Sequence, residues 1–158
     1  MKEYRTYTCG ELREKHVGEK IKLAGWIQTI RDLGGVIFID LRDQYGVTQI
    51  VASGDEKLVD FATRIPIEST VSVEGTVRLR DEDNIKKKIE TGTVELFIEK
   101  IEILGKRTKA LPFEIEASRD VKEELRLKYR YLDLRNSKCR DNLILRAKVI
   151  QFLREEMI

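Results

Sequence analysis

The stretch GWIQTIRDLGGVIFIDLRDQYGVTQIV, residues 25–51, decides the fold of this chain. After its central glycine pair, every second residue is a large aliphatic one: Ile37, Ile39 and Leu41. A period of two is the pattern of a strand that buries one face. Residues 43–46 have the composition of a hairpin loop and return the chain into another strand. The stretch therefore predicts three consecutive strands, the first of them long and curved at a glycine.

The residues that follow add one helix and two more strands. In residues 54–66 apolar side chains recur at i, i+3, i+4 and i+7, which predicts an amphipathic helix. Residues 70–80 alternate strictly, so we expect a fourth strand with Leu79 facing the core and Arg80 facing outward. A charged loop then leads to a fifth strand whose apolar phase slips, which predicts a bulge near Glu99.

Three strands, a helix and two strands are the element order of an OB-fold. The predicted fold class is therefore mainly β, a five-stranded OB-fold barrel with a helix between strands 3 and 4, in a first domain of residues 1–108. Barrels of this kind bind oligonucleotides or oligosaccharides on their second and third strands. Closure as another small barrel remains the alternative for the same strand set.

Helical spacing replaces alternation after the barrel. Residues 118–132 predict one helix, and Asn136 or Ser137 caps a second. We divide this part into a hinge, residues 109–135, and a terminal helical segment, residues 136–158. The second helix meets no stop signal before the last residue, which is typical of a chain cut from a longer protein.

Composition narrows the classes of function. The 158 residues are 41% hydrophobic and 37% charged, with a formal net charge of +2. This composition indicates a soluble folded protein, and it lacks the positive excess of a non-specific nucleic-acid binder. Cys9, Cys139 and the single His16 form no zinc motif, and two isolated thiols indicate a reducing cytoplasm. The charged residues 1–5 and the lack of a long apolar run predict neither a signal peptide nor a membrane span.

Phe38 is the most informative candidate for binding. Period-two geometry places it on the face opposite Ile37, Ile39 and Leu41, so its ring should face solvent if those three form the core. An outward aromatic ring on the second strand is suited to stacking on a nucleic-acid base. The alternative is that Phe38 packs under the adjacent glycine loop.

Two further residues offer hydrogen-bonding groups close to that ring. Gln49 on the third strand presents a donor and an acceptor that suit a pyrimidine edge, although a glutamine that only solvates the strand fits equally well. Glu95, outward on the fifth strand, suits the donor-rich edge of guanine. Its alternative is an ordinary cross-strand ion pair with Arg78 or Arg80.

Basic and polar residues gather at the same end of the predicted barrel. Arg31 and Asn84 are candidates for base or phosphate contacts, whereas we interpret the lysine run, residues 86–88, as a solvated loop whose charge helps to capture RNA. No acid–base pair, nucleophile with a partner, phosphate-binding glycine loop or metal cluster is visible, so we expect no catalytic residue, metal or cofactor in this chain. The predicted binding residues are Arg31, Phe38, Gln49, Arg78, Arg80, Asn84 and Glu95.

Three stretches resemble the N-terminal part of bacterial aspartyl-tRNA synthetases, a class II ligase family. They are residues 25–51, quoted above, VEGTVRLRDEDNIKKKIETGTVEL (residues 73–96) and LRLKYRYLDLRNSKCRDNLILRAKVIQFLREEM (residues 125–157). The resemblance implies an OB-fold anticodon-binding domain, a hinge, and the truncated first helix of the catalytic domain. In that family this helix belongs to the motif 1 region and to the homodimer interface.

The same resemblance implies roles for the candidate residues. Phe38 would stack on the middle anticodon base, a uracil, that Gln49 hydrogen-bonds, and Glu95 would read the first base, a guanine. Arg31, Arg80 and Asn84 fall at positions that contact the anticodon bases and their phosphates. The full-length enzyme would use ATP and Mg²⁺ to attach aspartate to tRNA(Asp) through an aspartyl-adenylate, in the cytoplasm and without a membrane.

One departure from the family pattern bears on affinity. Many bacterial members carry three consecutive arginines before the aspartate of the turn, whereas Thr29 and Ile30 precede a single Arg31 here. We therefore expect fewer contacts to the RNA backbone and a weaker dependence of affinity on salt.

Other functions remain open on the residues alone. A free-standing OB-fold module that binds single strands without sequence preference is one, and the anticodon domain of a lysyl- or asparaginyl-type synthetase is another. A third is a protein–protein module that uses the apolar helix after Ser137.

Overall fold

A closed barrel of five strands forms the first part of the chain. The computed structural model describes residues 4–158; residues 1–3, the start of the predicted first domain and of the charged N-terminus, lie outside the described residues. The strands are β1 (Lys20–Asp32), β2 (Ile37–Arg42), β3 (Val47–Ala52), β4 (Thr70–Leu79) and β5 (Val94–Gly105), and helix α1 (Glu56–Thr63) lies between β3 and β4. Around the barrel the strands follow the order β1-β2-β3-β5-β4. The predicted fold class is confirmed.

The neighbouring strands pair antiparallel except for β3 and β5, which run parallel. Ile37, Ile39 and Leu41 are fully buried, as the alternation of β2 predicts. In the pairing of β4 with β5 the register passes from Gly75–Ile98 to Glu74–Lys100, which leaves Glu99 as the extra residue. The predicted bulge near Glu99 is therefore confirmed, and it explains why the apolar phase of β5 slips.

Two predictions about the barrel are wrong in detail. Leu79, expected in the core, is 57% exposed, and Arg80, expected outside, is buried. Strand β4 ends at Leu79, and the Arg80 backbone N–H bonds the Thr93 carbonyl across the base of the following loop. Alternation between faces holds only while the chain remains a pleated strand.

The segment before β1, within the described residues, contains turns and no α-helix. One of these turns is a 3-10 turn, Glu14–His16. The Glu11 carboxylate accepts bonds from the Thr8 N–H at 2.6 Å and from the Thr8 hydroxyl at 2.7 Å, which closes a turn ahead of it. The spacing of Thr8 and Glu11, which can cap a helix, here closes a turn.

A second compact unit, Lys109–Ile158, follows the first, which ends at Thr108. It contains helices α2 (Glu123–Lys128), α3 (Arg130–Asp133) and α4 (Ser137–Met157). The single helix predicted over residues 118–132 is wrong, because Val121 has extended dihedrals and Tyr129 has φ −113° and ψ 45°. The assignment of residues 109–135 to a hinge and 136–158 to a catalytic domain stays a prediction.

Asn136 is the N-cap of α4. Its side-chain oxygen accepts from the Lys138 N–H at 3.1 Å, and its amide nitrogen donates to the carbonyls of Ile115 and Glu116. Of the two predicted capping residues, the structure selects Asn136. Within residues 4–158 no helix has both the length and the apolar character that crossing a bilayer requires.

Candidate nucleic-acid interface

A groove of about 480 Å³ crosses the outer surface of the barrel. Strand register explains why its residues meet. Arg31 on β1 is opposite Phe38 on β2, Phe38 is opposite Val51 on β3, and Val51 is opposite Phe97 on β5. Outward side chains of four neighbouring strands therefore form one band, and β4 completes it. All seven predicted residues line this groove: Arg31, Phe38, Gln49, Arg78, Arg80, Asn84 and Glu95.

Phe38 is half-buried and lies outside the barrel core. Its neighbours in sequence, Ile37 and Ile39, are fully buried, whereas Phe38 lines the groove. A partly covered ring has a fixed orientation and still offers apolar surface to a ligand. Phe38 is therefore placed to stack on a planar group.

Gln49 is held on both sides by charged groups of the groove. Its side-chain oxygen accepts from Arg31 Nη2 at 3.3 Å, and its nitrogen donates to Glu95 Oε2 at 2.9 Å. Gln49 is 5% exposed, so the interpretation as a glutamine that only solvates the strand does not fit. These two bonds orient the amide, with its oxygen toward β1 and its nitrogen toward β5.

Arg80 is the most deeply placed cation of the groove. Its side chain is fully buried, and Nε donates to the Val94 carbonyl at 3.0 Å and lies 4.0 Å from Glu95 Oε2. Burial lowers the pKa of the guanidinium, and the charge of Glu95 opposes that effect. Among the described residues, Nη1 and Nη2 of Arg80 have no hydrogen-bond partner. Two buried donors are thus left for an acceptor that a ligand would supply.

A second aromatic side chain, Phe97, lines the same groove two strands away from Phe38. The Arg78 guanidinium carbon lies 3.9 Å from the centre of the Phe97 ring, a cation–π contact. Arg78 is the register partner of Glu95, yet the arginine closest to that carboxylate is Arg80. Phe97 was not among the predicted residues, although it alternates with Leu96 and Ile98 as Phe38 does with its own neighbours.

Lys86, predicted to be a solvated loop residue, contacts Asp40, for which the sequence predicts no role. Lys86 Nζ lies 3.0 Å from Asp40 Oδ1, so this lysine is not simply a solvated loop residue. Asp40 is on the same face of β2 as Phe38, a signal available from alternation. Nothing in the sequence indicates that a loop residue 46 positions away would reach it.

Residues 21–104 match the tRNA anti-codon family, described as an OB-fold nucleic acid binding domain. The chain belongs to this OB-fold family. An aspartate-tRNA(Asp/Asn) ligase of Thermotoga neapolitana is 50% identical over 150 residues, which are 95% of this chain and 25% of the relative. An aspartate-tRNA ligase of Streptomyces coelicolor is 45% identical over 158 residues, all of this chain and 27% of the relative.

Solved structures agree with the sequence relatives of this OB-fold domain. An asparaginyl-tRNA synthetase from Pyrococcus horikoshii, complexed with asparaginyl-adenylate, superposes with a TM-score of 0.81 at 29% identity. The match covers 99% of this chain and 34% of that one. The predicted resemblance to aspartyl-tRNA synthetases is confirmed, and the chain spans about a quarter of the length of the ligases that it matches.

The groove of the OB-fold domain has the groups for binding and orienting a ligand. It combines two aromatic rings with four cations and the amides of Gln49 and Asn84. In residues 4–158 no cluster of three or more His, Cys, Asp or Glu side chains is placed to hold a metal ion. The residues that line the groove offer stacking, hydrogen bonding and charge.

Proposed function

We propose that this chain is the anticodon-reading part of an aspartate-tRNA ligase. The observation that carries the proposal is the band across the barrel, where Phe38, Gln49 and Glu95 face one groove. Single-stranded nucleic acid is bound by aromatic platforms next to cationic groups, which is the composition of this groove. The tRNA anti-codon family match and the tRNA ligases named above support the anticodon loop of tRNA as that single strand.

Gln49 retains hydrogen-bonding capacity for the middle base. A side-chain amide has two N–H donors and two acceptor sites, and the contacts with Arg31 and Glu95 use one of each. One donor and one acceptor remain, and the edge of uracil offers a matching acceptor and donor. We expect Phe38 to stack on that uracil while Gln49 pairs with its edge.

Glu95 and Arg80 suit the first base and its surroundings. Gln49 occupies one acceptor site of the Glu95 carboxylate, which leaves others for the N–H groups of guanine. The two Nη groups of Arg80, which have no partner among the described residues, would then donate to an acceptor on a base or a phosphate. Arg31, Arg78 and Asn84 surround these contacts and complete the predicted site.

The activity of the whole ligase belongs to this proposal as well. The longer protein would attach aspartate to tRNA(Asp) through an aspartyl-adenylate made from ATP with Mg²⁺, as a cytoplasmic homodimer. We assign no step of that reaction to this chain.

Titration of the 158-residue chain with RNA stem-loops tests the proposal. We expect tight binding to a loop that carries GUC and weaker binding to the same stem with the triplet scrambled. A third loop, with GUU, separates an Asp-specific reader from an Asp/Asn reader. Equal affinity for GUC and scrambled loops would instead favour a non-specific OB-fold module, and loss of self-association without residues 137–158, with no RNA binding, would favour the protein–protein module.

A further inference from the structure

Asp40 is the point at which three elements of the barrel meet. Its carboxylate accepts from the Thr29 hydroxyl at 2.8 Å, from Arg31 Nη2 at 3.2 Å to each oxygen, and from Lys86 Nζ at 3.0 Å. The Asp40 side chain is 16% exposed, whereas those of Arg31 and Lys86 are 45% and 33% exposed. The carboxylate thus lies beneath two cations that solvent and ligands can reach.

Both cations line the groove, but Asp40 itself is not among its lining residues. Arg31 reaches from β1 to Asp40 and also donates to Gln49. Lys86 belongs to the loop between β4 and β5, and its bond to Asp40 ties that loop to β2. One carboxylate therefore restrains a strand residue, a loop residue and, through Arg31, the amide of Gln49.

We propose that Asp40 is a positioning residue for the anticodon loop, which rests on the function proposed above. Long cationic side chains lose rotamer freedom when they bind a ligand, and prior restraint reduces that loss. With Asp40 in place, Arg31 and Lys86 are aimed before RNA arrives, and Gln49 presents one fixed pattern of donor and acceptor. The carboxylate acts through these three residues.

Whether RNA binding weakens or strengthens when Asp40 is neutralised distinguishes a positioning role from simple electrostatic repulsion. An acid beside an RNA groove repels phosphates, so its neutralisation should strengthen binding of every RNA. A positioning acid behaves differently, because its loss frees the residues that recognise the correct triplet. Neutralising Asp40 should therefore weaken the cognate complex while leaving non-cognate binding unchanged or stronger.

Asp81 provides a matched control. It lines the same groove and carries the same charge, and in the described part of the chain its side chain forms no hydrogen bond or ion pair. Asp40→Asn and Asp81→Asn thus remove one negative charge each from one surface. Only Asp40→Asn also releases Arg31 and Lys86.

The test measures dissociation constants of wild type, Asp40→Asn and Asp81→Asn for the GUC and scrambled stem-loops. We expect Asp40→Asn to weaken GUC binding about tenfold, or about 1.4 kcal/mol, and to reduce the preference for GUC by at least as much. Asp81→Asn should strengthen both complexes slightly. Tighter binding of both loops by Asp40→Asn, as by Asp81→Asn, would overturn the proposal.

A double-mutant cycle distinguishes the loss of positioning from a general loss of folding. Combined with Lys86→Met, Asp40→Asn should cost less than it does alone, because one of the residues it positions is already absent. Additive effects would contradict the proposal. A wild-type chain without preference for GUC would refute the proposed function itself, whereas a preference that survives Asp40→Asn refutes only this inference.

Discussion

Single residues of the groove contribute to ligand binding through side-chain surface that the barrel core does not cover. Phe38 is the clearest case, since its neighbours on both sides are fully buried and its own ring is only partly buried at the groove. An aromatic side chain in such a place adds little to the core and leaves a face for a ligand. Its contribution should therefore show in binding more than in folding.

Phe38→Ala should weaken binding of the GUC stem-loop by at least about fivefold, because a stacked base contributes roughly 1–3 kcal/mol. Phe61→Ala is the matched control, since Phe61 is 43% exposed on α1 and does not line the groove. Fluorescence titration of both variants measures the difference. Unchanged affinity in Phe38→Ala would remove the base-stacking role from the proposed site.

At the scale of elements, the barrel depends on close approach of β4 to the bulge in β5. A Cβ on Gly75 would lie 2.1 Å from the Phe97 carbonyl oxygen and 2.7 Å from the Ile98 Cα, both backbone atoms. A Cβ on Gly105, near the end of the same pairing, meets nothing closer than Thr70 at 3.8 Å. The two glycines thus differ in the space around them.

Gly75→Ala should lower the free energy of unfolding by about 1–3 kcal/mol, because β5 must move to admit the methyl group. Gly105→Ala should change it by no more than about 0.5 kcal/mol. Urea denaturation of both variants gives the comparison. Equal free energies of unfolding for the two variants would show that the bulge admits the methyl group without loss of stability.

Helix α4 begins at a buried side chain rather than at an exposed cap. Asn136→Ala removes the cap bond to Lys138 together with both bonds to the carbonyls of Ile115 and Glu116. It should therefore lower the free energy of unfolding of the second unit by about 1–3 kcal/mol. Ser137→Ala, one position later, removes no side-chain hydrogen bond that the structure describes and should be nearly neutral. Hydrogen exchange at the start of α4 distinguishes them. Equal protection in both variants would contradict the role of Asn136.

At the scale of the whole molecule, charge is balanced overall and concentrated only locally. The formal net charge is +2, and the groove is lined by four cations: Arg31, Arg78, Arg80 and Lys86. Acids accompany them, with Glu95 beside Arg80 and Asp40 beneath Arg31 and Lys86. Recognition should therefore depend on placement of groups more than on bulk attraction.

The affinity for the GUC stem-loop should consequently fall only gently with salt. If each lining cation neutralises at most one phosphate, the slope of log affinity against log salt is no steeper than about −3, at about −0.7 per phosphate on a single strand. A titration series over salt concentration measures it. A slope of about −6 would mean that cations outside the groove bind the RNA backbone.

Much of the barrel and most of its site follow from alternation along the chain. The pleat forces successive side chains to opposite faces, so alternation predicts opposite sides for Ile37 and Phe38 without any knowledge of the partner strands. The same rule predicts the outer face for Gln49 and Glu95. These assignments need only local geometry, which a single strand already defines.

What the sequence by itself determined is the succession of strands along the chain and, within the strands, the face on which most side chains lie. Only the tertiary structure decided which outward residues meet: Lys86 on Asp40, Arg78 on Phe97, and Arg80 turned inward past the end of its strand. The physical reason is the distance along the chain between the residues that interact. A pleat is set by neighbouring residues, whereas the path of a loop and the closure of a barrel depend on contacts between residues far apart in the chain.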